Sequence, residues 1–222
     1  MFWSFVLPVM VVAAAAGLVA RRWLCRFTYR LPDEVELPRR SHAWLVATIP
    51  IGAGLVALGL ATHWPWWVAV GPAAFAVVWL VVASIDLDVG RLPNKFTLPL
   101  AAVAAAWALA LGLATGDLDA IWRAWLAGVA LAGVNLVLAS LFRLIPPHQE
   151  GLGLGDIKLA LSLGVVTGWF SWTSVVISFV ATFVVGGIWA VVLLIARRKQ
   201  ARGGFSFGPS MVIGTIVALF VS

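Results

Sequence analysis

Charge is the first thing this sequence lacks. Only 11% of its 222 residues are charged, whereas a soluble domain carries about a quarter. The apolar share is 63%, more than one water-facing globule buries, so a bilayer has to be the solvent for most of it. Cysteine is nearly absent as well. Cys25 alone excludes an internal disulfide and any Cys-x-x-Cys zinc site, and it is given no role. The three histidines, His42, His63 and His148, fall in separate loops, which offers no histidine-based catalytic cluster. No cofactor and no metal is expected. A cleavable leader is not evident either. The first apolar run ends at Arg21-Arg22 without a small-residue cleavage site, so it is expected to be a transmembrane helix.

What is present is a series of long apolar runs. A bilayer core of about 30 Å needs roughly 20 apolar residues per helix. By that measure the sequence predicts an all-α polytopic bundle of about eight transmembrane helices. They are expected near 2–20, 43–62, 66–85, 97–114, 121–145, 159–171, 173–196 and 205–221. The sixth is short, and Gly168-Trp169-Phe170-Ser171 is the turn that separates it from the seventh.

The formal charge of +6 would suggest nucleic acid in a soluble protein. Here the basic residues fall in short loops, so no nucleic-acid partner is expected. Segment 21–42 holds Arg21, Arg22, Arg26, Arg30, Arg39 and Arg40, and loop 86–96 adds Arg91 and Lys95. Loop 143–158 contributes Arg143 and Lys158, and loop 197–204 contributes Arg197, Arg198, Lys199 and Arg202. Eight spans put all of these on one face, with Arg123 the exception. The excess of basic residues in short loops makes that face cytoplasmic and both termini external. Tryptophans in 63–67 and at Trp169 and Trp172 then mark the outer interface. Segment 26–41 is the one sizeable polar stretch, either a tether or a substrate-facing element.

The acidic residues are Asp33, Glu34, Glu36, Asp86, Asp88, Asp117, Asp119, Glu150 and Asp156. Most are expected in loops, solvated by water. Asp86 ends the third apolar run and Asp156 opens the sixth, at matching depth on the same side. An intramembrane aspartate costs about 2.5–3.5 kcal/mol at a helix centre and less near the interface. Helix packing could therefore bring the two together. Adjacent carboxylates cannot both ionise easily, so such a pair shares a proton. One member can then take a proton from water while the other donates to a peptide carbonyl.

Residues 151–156 read Gly-Leu-Gly-Leu-Gly-Asp, and Gly153 and Gly155 would let another chain lie close to Asp156. Alone, that segment also reads as a flexible loop with Asp156 as a helix N-cap. In the other segment Asp86 is followed by Pro93-Asn94 and then Phe96-Thr97-Leu98-Pro99. Together, in this order and on one face, the two segments resemble those of the prepilin peptidases, the type IV leader peptidase family. Members of that family show Asp-x-x-x-x-x-(Ile/Leu)-Pro-(Asn/Asp) and a Gly-x-Gly-Asp followed by a hydrophobic residue and lysine. Here the latter is Gly153-Leu154-Gly155-Asp156-Ile157-Lys158, and Phe207-Gly208-Pro209 resembles a third family element.

The resemblance implies one membrane-embedded aspartic peptidase domain over 1–222, with 21–42 as its cytoplasmic basic loop. It implies Asp86 and Asp156 as the catalytic pair, and the spacing to Pro93 selects Asp86 over Asp88. Gly153, Gly155, Lys158, Pro93 and Asn94 are then loop-supporting or substrate-binding residues. The substrates would be prepilins or pseudopilins in the bacterial inner membrane. With one cysteine, the chain resembles the compact, peptidase-only members without the cysteine-rich domain. Asp33, Glu34 and Glu36 are candidates to offset the meeting of a basic leader with a basic face. The alternative of a different class is a small transporter or proton channel using Asp86 and Asp156 as relay carboxylates, although no inverted repeat is visible. A presenilin-like protease is disfavoured, because the only tyrosine, Tyr29, is far from Asp86 in sequence. Asp88→Asn is expected to leave cleavage intact.

Overall fold

In the computed structural model, residues 3–143, 153–195 and 206–222 are described. Among them there is no strand, and eight α-helices follow in chain order. They are α1 (Trp3–Leu24), α2 (Leu45–Ala61), α3 (Trp66–Val89), α4 (Asn94–Thr115), α5 (Leu118–Arg143), α6 (Leu154–Phe170), α7 (Trp172–Ile195) and α8 (Gly208–Phe220). One 3₁₀ turn, Pro32–Glu34, interrupts the long connection between α1 and α2. Five helices, α1, α3, α4, α5 and α7, are long and apolar enough to cross a membrane, and α2 and α8 are shorter apolar helices. The chain is a polytopic helical membrane protein.

The apolar residues divide between a lipid-facing surface and a shared core. α3 lies at the centre, with 67% of its apolar window buried, against 17% for α1 and 22% for α7. Trp79 of α3 is fully buried, and its indole N–H donates to Ser162 Oγ of α6 at 3.1 Å. α5 and α6 pack through small residues. Gly164 approaches the Ala127 carbonyl and Gly168 the Ala124 and Ala127 side of α5, the close approach that drives helix association in lipid. Ser178 Oγ and Thr215 Oγ1 meet at 2.8 Å between α7 and α8.

Several boundaries differ from expectation, and those of α3 and α6 bear on the aspartates. α3 runs past residue 85 to Val89 and stops at Gly90, whose φ of 68° supplies the left-handed cap. Asp86 and Asp88 therefore lie inside its last turn, and Asp88 is a buried helical residue, not a loop residue. α6 begins at Leu154, earlier than 159, with Gly153 as N-cap and Asp156 in its first turn. The α6–α7 turn is Ser171 alone.

At the end of the bundle away from these aspartates, Trp169 is buried against Trp64 and Trp107. It is a packing residue and not a ring at the lipid interface. Trp66 and Trp67 are exposed, as an interfacial position requires. Arg123, the basic residue out of place by charge, donates to the carbonyls of Gly168, Trp169 and Phe170. It satisfies the C-terminal carbonyls of α6, which have no intrahelical donor.

Candidate active site

Asp86 and Asp156 arrive at one end of the bundle from different helices. Asp86 is 4% exposed and Asp156 7% exposed. Asp156 stands at the third position of α6, where its Oδ2 accepts the Gly153 N–H at 2.9 Å. The sequence reading of Asp156 as N-cap is thus corrected by three positions. Gly153 is the cap, and the carboxylate reaches back to it. An acidic group in the first turn also suits the positive end of the helix dipole. Asp86 accepts hydrogen bonds at Oδ2 from the Ser206 hydroxyl and, at 3.1 Å, from the Gly208 N–H. The two carboxylates stand on helix ends that meet where Leu92, just past α3, packs on Gly155 of α6. No hydrogen bond joins them among the described residues.

The remaining residues singled out from sequence gather round this pair. Pro93 is the N-cap of α4 and Asn94 its first residue. Asn94 Oδ1 accepts from Lys158 Nζ at 2.7 Å, so the lysine of one segment is bonded to the asparagine of the other. Gly155 sits so close to Leu92 that a Cβ there would lie 2.6 Å from the Leu92 Cβ and 3.0 Å from its carbonyl oxygen. The close approach that glycine permits is to the chain's own 90–93 turn. Gly208 is equally constrained, since a Cβ would come within 2.8 Å of Asp86 Oδ2.

Sequence reasoning missed Ser206, although the neighbouring Phe207-Gly208-Pro209 element was the signal that pointed to this place. It also missed a buried polar network built by the α1–α2 connection. Tyr29, His42, Ser84 and Asp88 are all buried. Tyr29 OH donates to Asp88 Oδ2 at 2.6 Å. Arg30 donates to both oxygens of Asp88, each at 2.9 Å. Glu34 is fully buried, and its two oxygens take Arg91 Nε and Nη2 at 2.5 and 2.8 Å. These acidic residues are therefore not solvated loop residues. Segment 26–41 is no mere tether, and Glu34 is not available to a basic leader. Asp33 and Glu36 are exposed. Of the loops expected on this face, the middle of 143–158, with Arg143's side chain, His148 and Glu150, lies outside the described residues, as do Arg197, Arg198, Lys199 and Arg202.

The network has a definite protonation pattern. Burial, and then Asp88, push the Tyr29 hydroxyl pKa well up, so it remains a donor. Its proton goes to Asp88, which leaves the oxygen to accept from His42 Nε2 at 3.3 Å. His42 Nδ1 then accepts from Ser84 Oγ at 2.6 Å. Burial holds the His42 pKa below its ordinary value, with Arg30 and Arg40 acting in the same direction and Asp88 against them. In the unfolded chain the imidazole binds its proton more readily, so stability rises with pH through this window. The His42 contribution is present in full above about pH 6.5 and declines as pH falls below it. Melting temperature in detergent is expected to drop between about pH 7 and pH 5, less steeply in His42→Gln. Equal slopes in the two proteins would remove His42 as the cause.

A model of the type IV leader peptidase family matches residues 73–191. Among curated proteins, the prepilin leader peptidase/N-methyltransferase of Aeromonas salmonicida is 34% identical over 152 residues, covering 66% of this chain and 48% of that protein. The protein of the same name from Escherichia coli K12 is 31% identical, covering 83% of this chain and 78% of that one. That from Stutzerimonas stutzeri is 30% identical, covering 77% and 56%. The chain spans about half the length of the Aeromonas relative. No solved structure matches. The family model covers more than half of the sequence and includes both aspartates, all of α4, α5 and α6, and most of α3 and α7, and on that ground the chain belongs to the type IV leader peptidase family.

Proposed function

We propose that this chain is a membrane aspartic endopeptidase that removes the basic leader from type IV or Tad-type prepilins or pseudopilins, with Asp86 and Asp156 as its working pair. The observation that carries this reading is the arrival of two buried carboxylates, on the last turn of α3 and the first turn of α6, at one end of the bundle, where Leu92 packs on Gly155. The family membership supports the substrate class. The described parts of the basic loops gather at the same end, through Arg91 on Glu34 and Lys158 on Asn94. That supports cutting on the cytoplasmic face of the bacterial inner membrane.

Under this reading the pair shares one proton. The ionised carboxylate takes a proton from water as its oxygen attacks the scissile carbonyl carbon. The protonated partner gives its proton to the carbonyl oxygen. The tetrahedral diol intermediate then collapses with loss of the C–N bond: one carboxyl gives its proton to the departing amine while the ionised partner takes the proton of a diol hydroxyl, so the pair again shares one proton. The α-helical remainder of the substrate lies in the bilayer, and its leader lies at the end of the bundle that carries the aspartates. A relay transporter would place its carboxylates near the midplane beside broken helices. Here they sit in terminal turns of helices.

The test is cleavage of a prepilin in membranes containing this chain, with the product's N-terminus sequenced. A cut directly after the glycine that ends the leader is expected. An uncut substrate, or cuts scattered through the pilin, would overturn the reading.

A further inference from the structure

We infer that the segment between α1 and α2 is a clamp that sets the placement of Asp86 relative to Asp156, with Arg30, Glu34 and Arg91 as positioning residues. This inference rests on the reading of those aspartates as the working pair. Two charged groups of α3's end, Asp88 and Arg91, are each gripped by two bonds from partners only four residues apart, Arg30 and Glu34. The grip spans the Gly90 cap, so it fixes both the last turn of α3 and the turn after it. Asp86 lies just before the gripped stretch. Leu92 lies just after it, with its backbone against Gly155, the residue preceding Asp156. The chain of contacts therefore runs from one aspartate, through the clamp, to the other.

The clamp is itself held in shape. Arg30 also donates to the carbonyls of Leu37 and Pro38 at 2.8 and 3.0 Å, folding the segment round its guanidinium. Glu34 accepts the Leu31 N–H at 2.8 Å, and Arg30 lies 4.3 Å from the Phe27 ring centre. Phe27 and His42 have φ of 54° and 47°. Non-glycine residues persist in that region only where their surroundings over-determine it. A solvated tether has no need of such backbone. A planar fork such as the Arg91 guanidinium fixes direction as well as distance, which an ammonium does not.

Steady-state cleavage of a prepilin by Arg91→Lys and Glu34→Gln tests this, with rates expressed per folded molecule. Asp156→Asn serves as the inactive reference. A misplacement of about 1 Å costs up to about a hundredfold in rate. The expected result is a kcat about 10–100-fold lower at unchanged KM, with recovery of most of the loss in the doubly exchanged Glu34→Arg/Arg91→Glu. A raised KM at unchanged kcat would make the segment a substrate contact and overturn the clamp. Unchanged kcat per folded molecule, with only the yield reduced, would make it a stability element and overturn the clamp equally. If Glu34→Gln fails to accumulate, Arg91→Lys is decisive by the same criteria, because Arg91 is partly exposed and keeps its charge. Cleavage by Asp156→Asn at the wild-type rate would instead sink the underlying reading, whatever the clamp variants do.

Discussion

Asp86→Asn and Asp156→Asn are each expected to lower prepilin cleavage by about 10²–10⁴-fold, the usual worth of a positioned general acid or base. Asparagine has the size of aspartate and retains an oxygen acceptor. At position 156 that oxygen can still take the Gly153 N–H, so the first turn of α6 keeps its cap. At position 86 it can still take the Gly208 N–H and the Ser206 hydroxyl. What each substitution removes is the ability to hold or release a proton. Near-complete loss of cutting, with normal amounts of folded protein in the membrane, is therefore the result the pair requires. Full cutting by both variants would end the carboxylate mechanism, and relay of protons through a transporter would become the reading to pursue.

Much of this fold could be read from the sequence because the bilayer leaves so little choice. Lipid forbids unpaired backbone, so each apolar run of sufficient length becomes a helix. The alternation of charged loops then fixes how many runs there are. All eight helices lie close to where hydropathy put them, and Asn94 of one motif segment is bonded to Lys158 of the other. Hydropathy located the ends poorly at α3 and α6, because a charged residue reads as the end of a span. Asp88 is tolerated inside α3 by Arg30, a partner 58 positions away. No local pattern announces such a partner. For the same reason Glu34 reads as one more solvated acid in a polar stretch, when its oxygens are in fact committed to Arg91. Arg123 breaks the rule of basic loops for an equally distant reason, the open carbonyls at the end of α6.

The structure corrects the placement of Asp88, which is a buried, paired residue of α3 and not a loop residue. Asp88→Ala is therefore expected to destabilise the protein by about 3–5 kcal/mol. The Arg30 side chain is 2% exposed and that of Asp88 fully buried. Removing the carboxylate leaves a guanidinium out of water without its counter-charge, and leaves the Tyr29 hydroxyl without its acceptor. The Leu37 and Pro38 carbonyls still accept from Arg30, but a neutral carbonyl does not replace a carboxylate. Asp88→Asn keeps one acceptor and should fall between the wild type and Asp88→Ala. Reduced cleavage by Asp88→Asn would then report loss of folded protein or of the clamp, and not a second catalytic carboxylate. Thermal unfolding in detergent separates the cases through a double-mutant cycle. Removing both charges in Arg30→Met/Asp88→Ala should restore much of the stability lost in Asp88→Ala alone, since the unpaired buried charge is gone. Additive losses in the double variant would mean that the pair is solvated in the working protein. In that case the α1–α2 segment would be held at the end of α3 by the Glu34–Arg91 pair and the His42–Ser84 bond.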